Sequence, residues 1–173
     1  SVAPHRRWGR IMTQLRPAKE ADRELLRNMF NLMHAELAPF TRELHSVDER
    51  GYFEPAAADA YLAGEDCARA HVILEEGRTA GIVAMTAAPY AKPGCDYCLQ
   101  EVYVLPHMRG QGVASAACQA LLNAFPGRWC CIALTNNVRG LKFCQDVLIA
   151  QGRLIASGRL DDESAFFEFE VGI

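Results

Sequence analysis

The spacing of apolar positions changes several times along the chain, and each change marks an element. Met12 to Pro17 is short and half apolar, which predicts a first strand. From Asp22, Leu25, Leu26, Met29, Phe30, Met33 and Leu37 recur every three or four residues, with Arg23, Arg27 and Asn31 opposite. That is an amphipathic helix, and Pro39 stops it. A polar stretch follows, then Pro55 and a short helical segment, Ala56 to Leu62, carrying Tyr61. His71 to Leu74 and Thr79 to Ala87 read as strands joined by the turn Glu75-Glu76-Gly77-Arg78. Tyr97 to Leu105 is a further strand ending at Pro106, and 113–125 is helical with Val113, Ala117, Ala120, Leu121 and Phe125 in line. Pro126-Gly127 breaks that helix before the buried-type strand Trp129 to Leu134. Val138 to Leu148 is a last helix. Arg153 to Leu160 and Ala165 to Val171 then flank the turn Asp161-Asp162-Glu163-Ser164 as a terminal hairpin.

The resulting order, β-α-α-β-β-β-α-β-α-β-β, is a mixed α/β (α+β) domain with at least two strand–helix–strand crossovers. At 173 residues the chain suits one domain with a real core, assigned to 12–173, with 1–11 expected to be a tail. No repeat or low-complexity tract interrupts it. Half the residues are hydrophobic and the net charge is -3, which weighs against nucleic acid as a partner. No apolar run approaches the ~18–20 residues of a membrane span. The seven cysteines are odd in number and mostly sit inside apolar runs, which reads as reduced, core-filling thiols in a cytoplasmic chain. Cys95-x-x-Cys98 is half a zinc pattern without its second half, so no metal is expected.

Chemistry concentrates in Glu101-Val102-Tyr103-Val104-Leu105-Pro106-His107-Met108-Arg109-Gly110-Gln111-Gly112-Val113-Ala114. A strand ends at proline, a glycine-containing loop follows, and a helix begins at once. That arrangement aims unpaired N–H groups and the positive end of a helix dipole at one point, a site type that holds phosphate. Gly110 and Gly112 permit close backbone approach, and Ala114 keeps the first turn clear. The same glycines would also serve an ordinary strand–loop–helix junction. A P-loop needs Gly-Lys-Ser/Thr, and there is no lysine here. A dinucleotide fingerprint needs a third glycine where Ser115 stands, and an earlier place in the fold.

Arg109-x-x-Gly112-x-Ala114 resembles the Arg/Gln-x-x-Gly-x-Gly/Ala signature of the GNAT superfamily of acetyl-coenzyme A-dependent N-acetyltransferases. The resemblance extends to the strand Glu101 to Pro106, to Asn136 and Asn137, to Gly140-Leu141-Lys142-Phe143-Cys144, and to the element order over roughly 12–172. Phe125-Pro126-Gly127-Arg128-Trp129 and Phe143 to Ile149 are similar to a little-described bacterial group of predicted acetyltransferases. The resemblance implies a mostly antiparallel sheet of about seven strands with the fourth and fifth splayed apart, flanked by about four helices. It also implies that the backbone around Val102, Tyr103 and Val104 holds the pantetheine arm of acetyl-coenzyme A. The amides of Arg109, Gly110, Gln111, Gly112, Val113 and Ala114 would carry the pyrophosphate, and Asn136 or Asn137 would bond the pantetheine.

The implied reaction is attack of an amine on the thioester, which calls for a base because a protonated amine cannot attack. Glu101 is the candidate, although strand alternation alone leaves open an exposed or ion-paired carboxylate. His34, His71 and His107 are weaker candidates. Where the family often has a tyrosine acid, this chain has Cys144 after Phe143, read as packing or cofactor wall rather than as a proton donor. That departure keeps a second reading open, an acyl-coenzyme A-binding sensor or regulatory module. Tyr52, Phe53 and Tyr61 are expected to line the acceptor pocket, and Asp48, Glu49, Glu54 and Asp59 would favour a cationic amine if they face inward. Both a monomer and a homodimer are compatible with this reading.

Overall fold

The computed structural model describes residues 12–63 and 66–172, so the expected tail at 1–11 lies outside the described residues. Its strands are β1 (Thr13–Pro17), β2 (Ala68–Glu75), β3 (Arg78–Ala87), β4 (Tyr97–Val104), β5 (Gly127–Leu134), β6 (Arg153–Arg159) and β7 (Ser164–Val171). Its α-helices are α1 (Arg23–Leu37), α2 (Pro55–Ala60), α3 (Val113–Ala124) and α4 (Val138–Phe143).

The strands form one sheet in the order β1-β2-β3-β4-β5-β7-β6, antiparallel everywhere except between β4 and β5. Parallel neighbours need a crossover, and α3 supplies it. The second crossover is β5–α4–β6, with β7 lying between the two strands and antiparallel to both, whereas β1, which leads through α1 and α2 to β2, pairs with it antiparallel. The β2–β3 hairpin pairs Glu75 with Arg78, and both turn residues adopt positive φ, Glu76 at 50° and Gly77 at 76°.

Each sheet face has its own core. Leu26, Met29, Phe30 and Met33 of α1 meet Ala58 of α2, Ile82, Ala84 and Tyr103 on one face. Val113, Ala117, Leu121 and Leu122 of α3 meet Val83, Met85, Trp129, Phe167 and Phe169 on the other. The row read for α1 is the row that packs inward; in α3, Val113, Ala117 and Leu121 bury as read, but Ala120 is exposed and Cys118 and Leu122 bury in its place. The expected helix at 138–148 is regular only through Phe143; Cys144–Leu148 widens into a π turn. Among the described residues no helix is long and apolar enough to cross a membrane.

Candidate active site

β4 and β5 pair at only three positions, Tyr97 with Trp129, Cys98 with Cys130 and Leu99 with Cys131. Beyond them the strands run on to Val104 and Leu134 without pairing, and a groove of about 1140 Å³ opens between them. A bulge accompanies the parting. Ala84 of β3 faces Glu101 and Met85 faces Leu99, so Gln100 is the extra residue. A bulge bends its strand and resets the alternation of side chains. Leu99, Val102 and Val104 all pack on the α3 face, whereas Tyr103 packs under α1. Glu101, two residues before Tyr103, therefore shares the α1 face. Strict alternation from Leu99 would have sent it the other way.

Main-chain direction follows the same logic. Leu105 N–H donates to Ala80 O on β3 at 2.8 Å, and Tyr103 O lies so near Gly81 that a Cβ there would meet it at 1.9 Å. Val104 O instead accepts from Arg109 Nε at 2.7 Å. Alternate residues direct their polar groups to one strand edge, so Val102 and Val104 present theirs to the groove. Tyr103 lines the groove, but its main-chain carbonyl turns toward Gly81 of β3.

The loop between β4 and α3 is built to receive an anion. Gly110 and Gly112 sit at φ 73° and 80°, a region that costs most side chains steric strain. Gly112 caps α3 without any side-chain hydrogen bond, so the first-turn N–H groups of Val113 and Ala114 point outward. Arg109 differs from its neighbours. Its own N–H donates to Pro106 O at 3.3 Å, and its guanidinium grips both oxygens of Glu36 on α1 at 2.9 Å. It is a clasp between α1, β4 and the loop. Nothing local in the sequence announces it, since the partners are 73 positions apart.

Across the groove, Asn137 Oδ1 accepts from Gly140 N–H at 3.1 Å and caps α4. A Cβ at Gly140 would come within 2.8 Å of Asn137 Nδ2, so the glycine makes room for that cap. Asn137 lines the groove; Asn136 and Gln111 stand outside its lining. Cys144 is 6% exposed and packs in the core at the groove wall, where the Cys131 thiol beside it holds its pKa below the ordinary thiol value.

Glu101 is half-buried, with no hydrogen-bond or ion-pair partner among the described residues. Burial, then the charge of Glu54, pushes its pKa up to about 8. Tyr61 titrates higher than usual, through burial and then the charge of Glu101. His34 also borders the groove; it is 5% exposed, and its Nδ1 is buried without a partner. Burial lowers its pKa, and Glu54 partly offsets that.

Of the four acidic residues expected near the acceptor, only Glu54 lines the groove. Asp59 pairs with Arg23 at 2.9 Å and Arg27 at 2.6 Å, and Asp48 closes its own loop onto Arg50 and Tyr52. The expected aromatic lining is corrected too. Tyr52 donates to Asn28, Phe53 N–H donates to Asn31, and Tyr61 packs on Phe30, while Phe40 and Leu44 line the groove instead. His71 lies in a separate cavity of about 360 Å³, and His107 is exposed. Among the described residues no cluster of three His, Cys, Asp or Glu could hold a metal ion.

A seven-stranded sheet with β4 and β5 parted above a glycine loop and helix start defines the acetyltransferase class of fold. The sequence pattern of the Acetyltransferase (GNAT) family matches residues 30–147, and the chain belongs to that family. Among solved structures, an acetyltransferase from Thermus thermophilus is similar at a TM-score of 0.68 and 18% identity, over 92% of this chain and 97% of that one. A histone acetyltransferase HPA2-related protein from Corynebacterium glutamicum superposes at 0.69 and 15% identity, over 92% and 96%. RimL, a ribosomal L7/L12 alpha-N-protein acetyltransferase in complex with coenzyme A, gives 0.63 and 15%, over 94% and 98%. At such identities the likeness is one of fold. No curated protein matches the sequence.

Proposed function

We propose that the protein is an N-acetyltransferase that moves an acetyl group from acetyl-coenzyme A to a primary amine. The observation that carries this reading is Glu101, an unpaired carboxylate with its pKa pushed up to about 8 beside the parted strands. A base with a pKa near the working pH takes a proton efficiently, and the raised value suits removal of one from an incoming amine. A module that only binds an acyl carrier has no use for such a group, so Glu101 favours the enzyme over the sensor.

The residues divide the work. Val102 and Val104 offer main-chain groups to the pantetheine, and an N–H aimed at the carbonyl oxygen is worth a few kcal/mol, about 3. The N–H groups of Gly110, Gln111 and Gly112 have no partner among the described residues, and together with Val113 and Ala114 they suit a pyrophosphate. Asn137 keeps Nδ2 available while Oδ1 caps α4. Acetyl-coenzyme A brings the activated acetyl group; the chain brings position and one proton acceptor. The thiolate leaves without a tyrosine, with Cys144 as wall. All seven cysteines are unpaired, which supports a reducing, cytoplasmic setting.

The test is release of free thiol from acetyl-coenzyme A across a panel of primary amines, with Glu101→Gln beside the parent. Amine-dependent release that falls at least 100-fold in Glu101→Gln, with coenzyme A affinity unchanged, supports the reading. Equal turnover in the variant removes Glu101 from the chemistry.

A further inference from the structure

Three of the seven cysteines meet away from the chemistry of the groove. Cys95, Cys98 and Cys130 form a small third cluster with Ala91, separate from both main cores, with Phe166 packed against it. All three stand outside the groove lining. The structure gives the Cys95-x-x-Cys98 pattern an unexpected companion. Cys98 is the register partner of Cys130, in the middle of the three pairs that join β4 to β5.

That register brings two thiols within bonding range. Partners on paired strands project to the same face, and neighbouring strands lie about 4.8 Å apart. A disulfide spans about 4.4–6.8 Å between Cα atoms. Both side chains enter one buried cluster, Cys98 at 2% exposure and Cys130 at 0%, and the two thiols hydrogen-bond to each other. The sulfurs are not equivalent. Lys92 main-chain N–H also donates to Cys98 Sγ, at 3.3 Å. The Cys130 thiol is the larger influence, and with the Lys92 N–H and ammonium it holds Cys98 below the ordinary thiol value. The same hydrogen bond, with burial, raises Cys130. Cys98 is therefore the thiol that ionises first, and a thiolate is the nucleophile.

The cover over this pair is thin. Ala91 and Cys95 belong to the loop between β3 and β4, and Lys92 ties that loop to Glu168 of β7. So small a cluster under one loop opens more readily than a main core, which admits a small oxidant. We propose that Cys98 and Cys130 form a peroxide-sensitive dithiol, with Cys98 as the attacking thiolate and Cys130 as the resolving thiol. The Cys98 thiolate attacks one peroxide oxygen, the O–O bond breaks and hydroxide leaves, giving a sulfenic acid. Cys130 Sγ then attacks that sulfur. The S–S bond forms, the S–O bond breaks, and the oxygen departs as hydroxide. The two thiol protons turn both hydroxides into water, so two thiols and one hydrogen peroxide give one disulfide and two waters. The new bond ties β4 to β5 one pair before Leu99 and Cys131, after which the strands part. It fixes the root of the groove without entering it.

The experiment treats the reduced full chain, without denaturant, with a small molar excess of hydrogen peroxide. Remaining thiols are capped with N-ethylmaleimide after unfolding, and the unreduced digest is read by mass spectrometry. The expected main product is lighter by two hydrogens, joins Cys98 to Cys130, and is reversed by dithiothreitol. Cys118, Cys131 and Cys144 are recovered capped. Cys95→Ser forms the same link. Cys130→Ser stops at a sulfenic acid on Cys98, trapped by dimedone, whereas Cys98→Ser lowers the rate of dimedone-trapped or disulfide product at least tenfold. A main product joining Cys95 to Cys98, or Cys131 to Cys144, overturns the proposal. So does a treated chain in which Cys98 and Cys130 are both recovered capped, or a dimedone adduct on Cys130 in Cys98→Ser at the parent's rate.

Discussion

Glu101 shows how much one residue's role depends on its neighbour. Its place on a strand before the glycine loop was legible in the sequence, but its face was not. Alternation counts every second residue, and the bulge at Gln100 breaks the count. Once placed on the α1 face, burial and Glu54 raise its pKa from 4.5 to about 8. A base must be ionised to act, so kcat/KM expressed per free amine should rise with pH and level off above about 8. Glu101→Gln should lack that rise. Stability runs the opposite way. A carboxyl with a raised folded-state pKa contributes stability that is full at low pH and is lost as pH rises from 4.5 through about 8. Glu101→Gln should therefore gain more thermal stability over the parent at pH 9 than at pH 4, measured by melting at both. A gain that does not grow with pH contradicts the burial argument. The groups facing Glu101 that enter this profile are Glu54 and Tyr61, with His34 nearby through Glu54.

At the scale of elements, the loop and helix start were the most readable part of the site. Glycine placement and helix onset are local facts, and residues 110–114 carry both. The clasp by Arg109 was not readable, because Glu36 and Val104 reach it through the fold. Arg109→Met keeps the loop's own sequence but frees Val104 O and Glu36; coenzyme A affinity should drop about tenfold by titration calorimetry, a loss of ~1.4 kcal/mol. Gly112→Val should cost far more, at least 100-fold, because it strains a φ of 80° and places bulk where an anion approaches. Retained affinity in Gly112→Val would mean the loop does not hold the cofactor. The helix read over 138–148 is present, but its change of type after Phe143 was not legible: Leu141, Cys144 and Leu148 keep a three-to-four spacing that a π turn also tolerates.

For the whole molecule, the period changes gave the order of elements, but the sheet order came from neither period nor composition. The groove itself is a property of the assembled fold. Residues 34, 54 and 101 come from α1, from the segment before α2 and from β4, and no spacing links them. A different glutamate tests the assembly itself. Glu168 on β7 is buried and bonds Lys92, from the loop before β4, and Arg128 of β5, at 2.8 Å for the latter. These two cations hold its carboxyl below the usual range, the ion-paired hydrogen bond to Lys92 being the larger cause. A depressed carboxyl contributes stability that is present above its unfolded pKa and is lost as pH falls through the folded value. Glu168→Gln should thus melt well below the parent at pH 7, by a margin that narrows as pH falls below 4.5.

The central claim is that the groove between β4 and β5 transfers acetyl from acetyl-coenzyme A to an amine with Glu101 as base. Its most direct measure is amine-dependent thiol release followed from pH 6 to 10 in the parent and in Glu101→Gln. With rates expressed per free amine, release should require the amine, rise through about pH 8 in the parent, and be at least 100-fold lower without that rise in the variant. Release that ignores the amine, or two superimposable profiles, would contradict it.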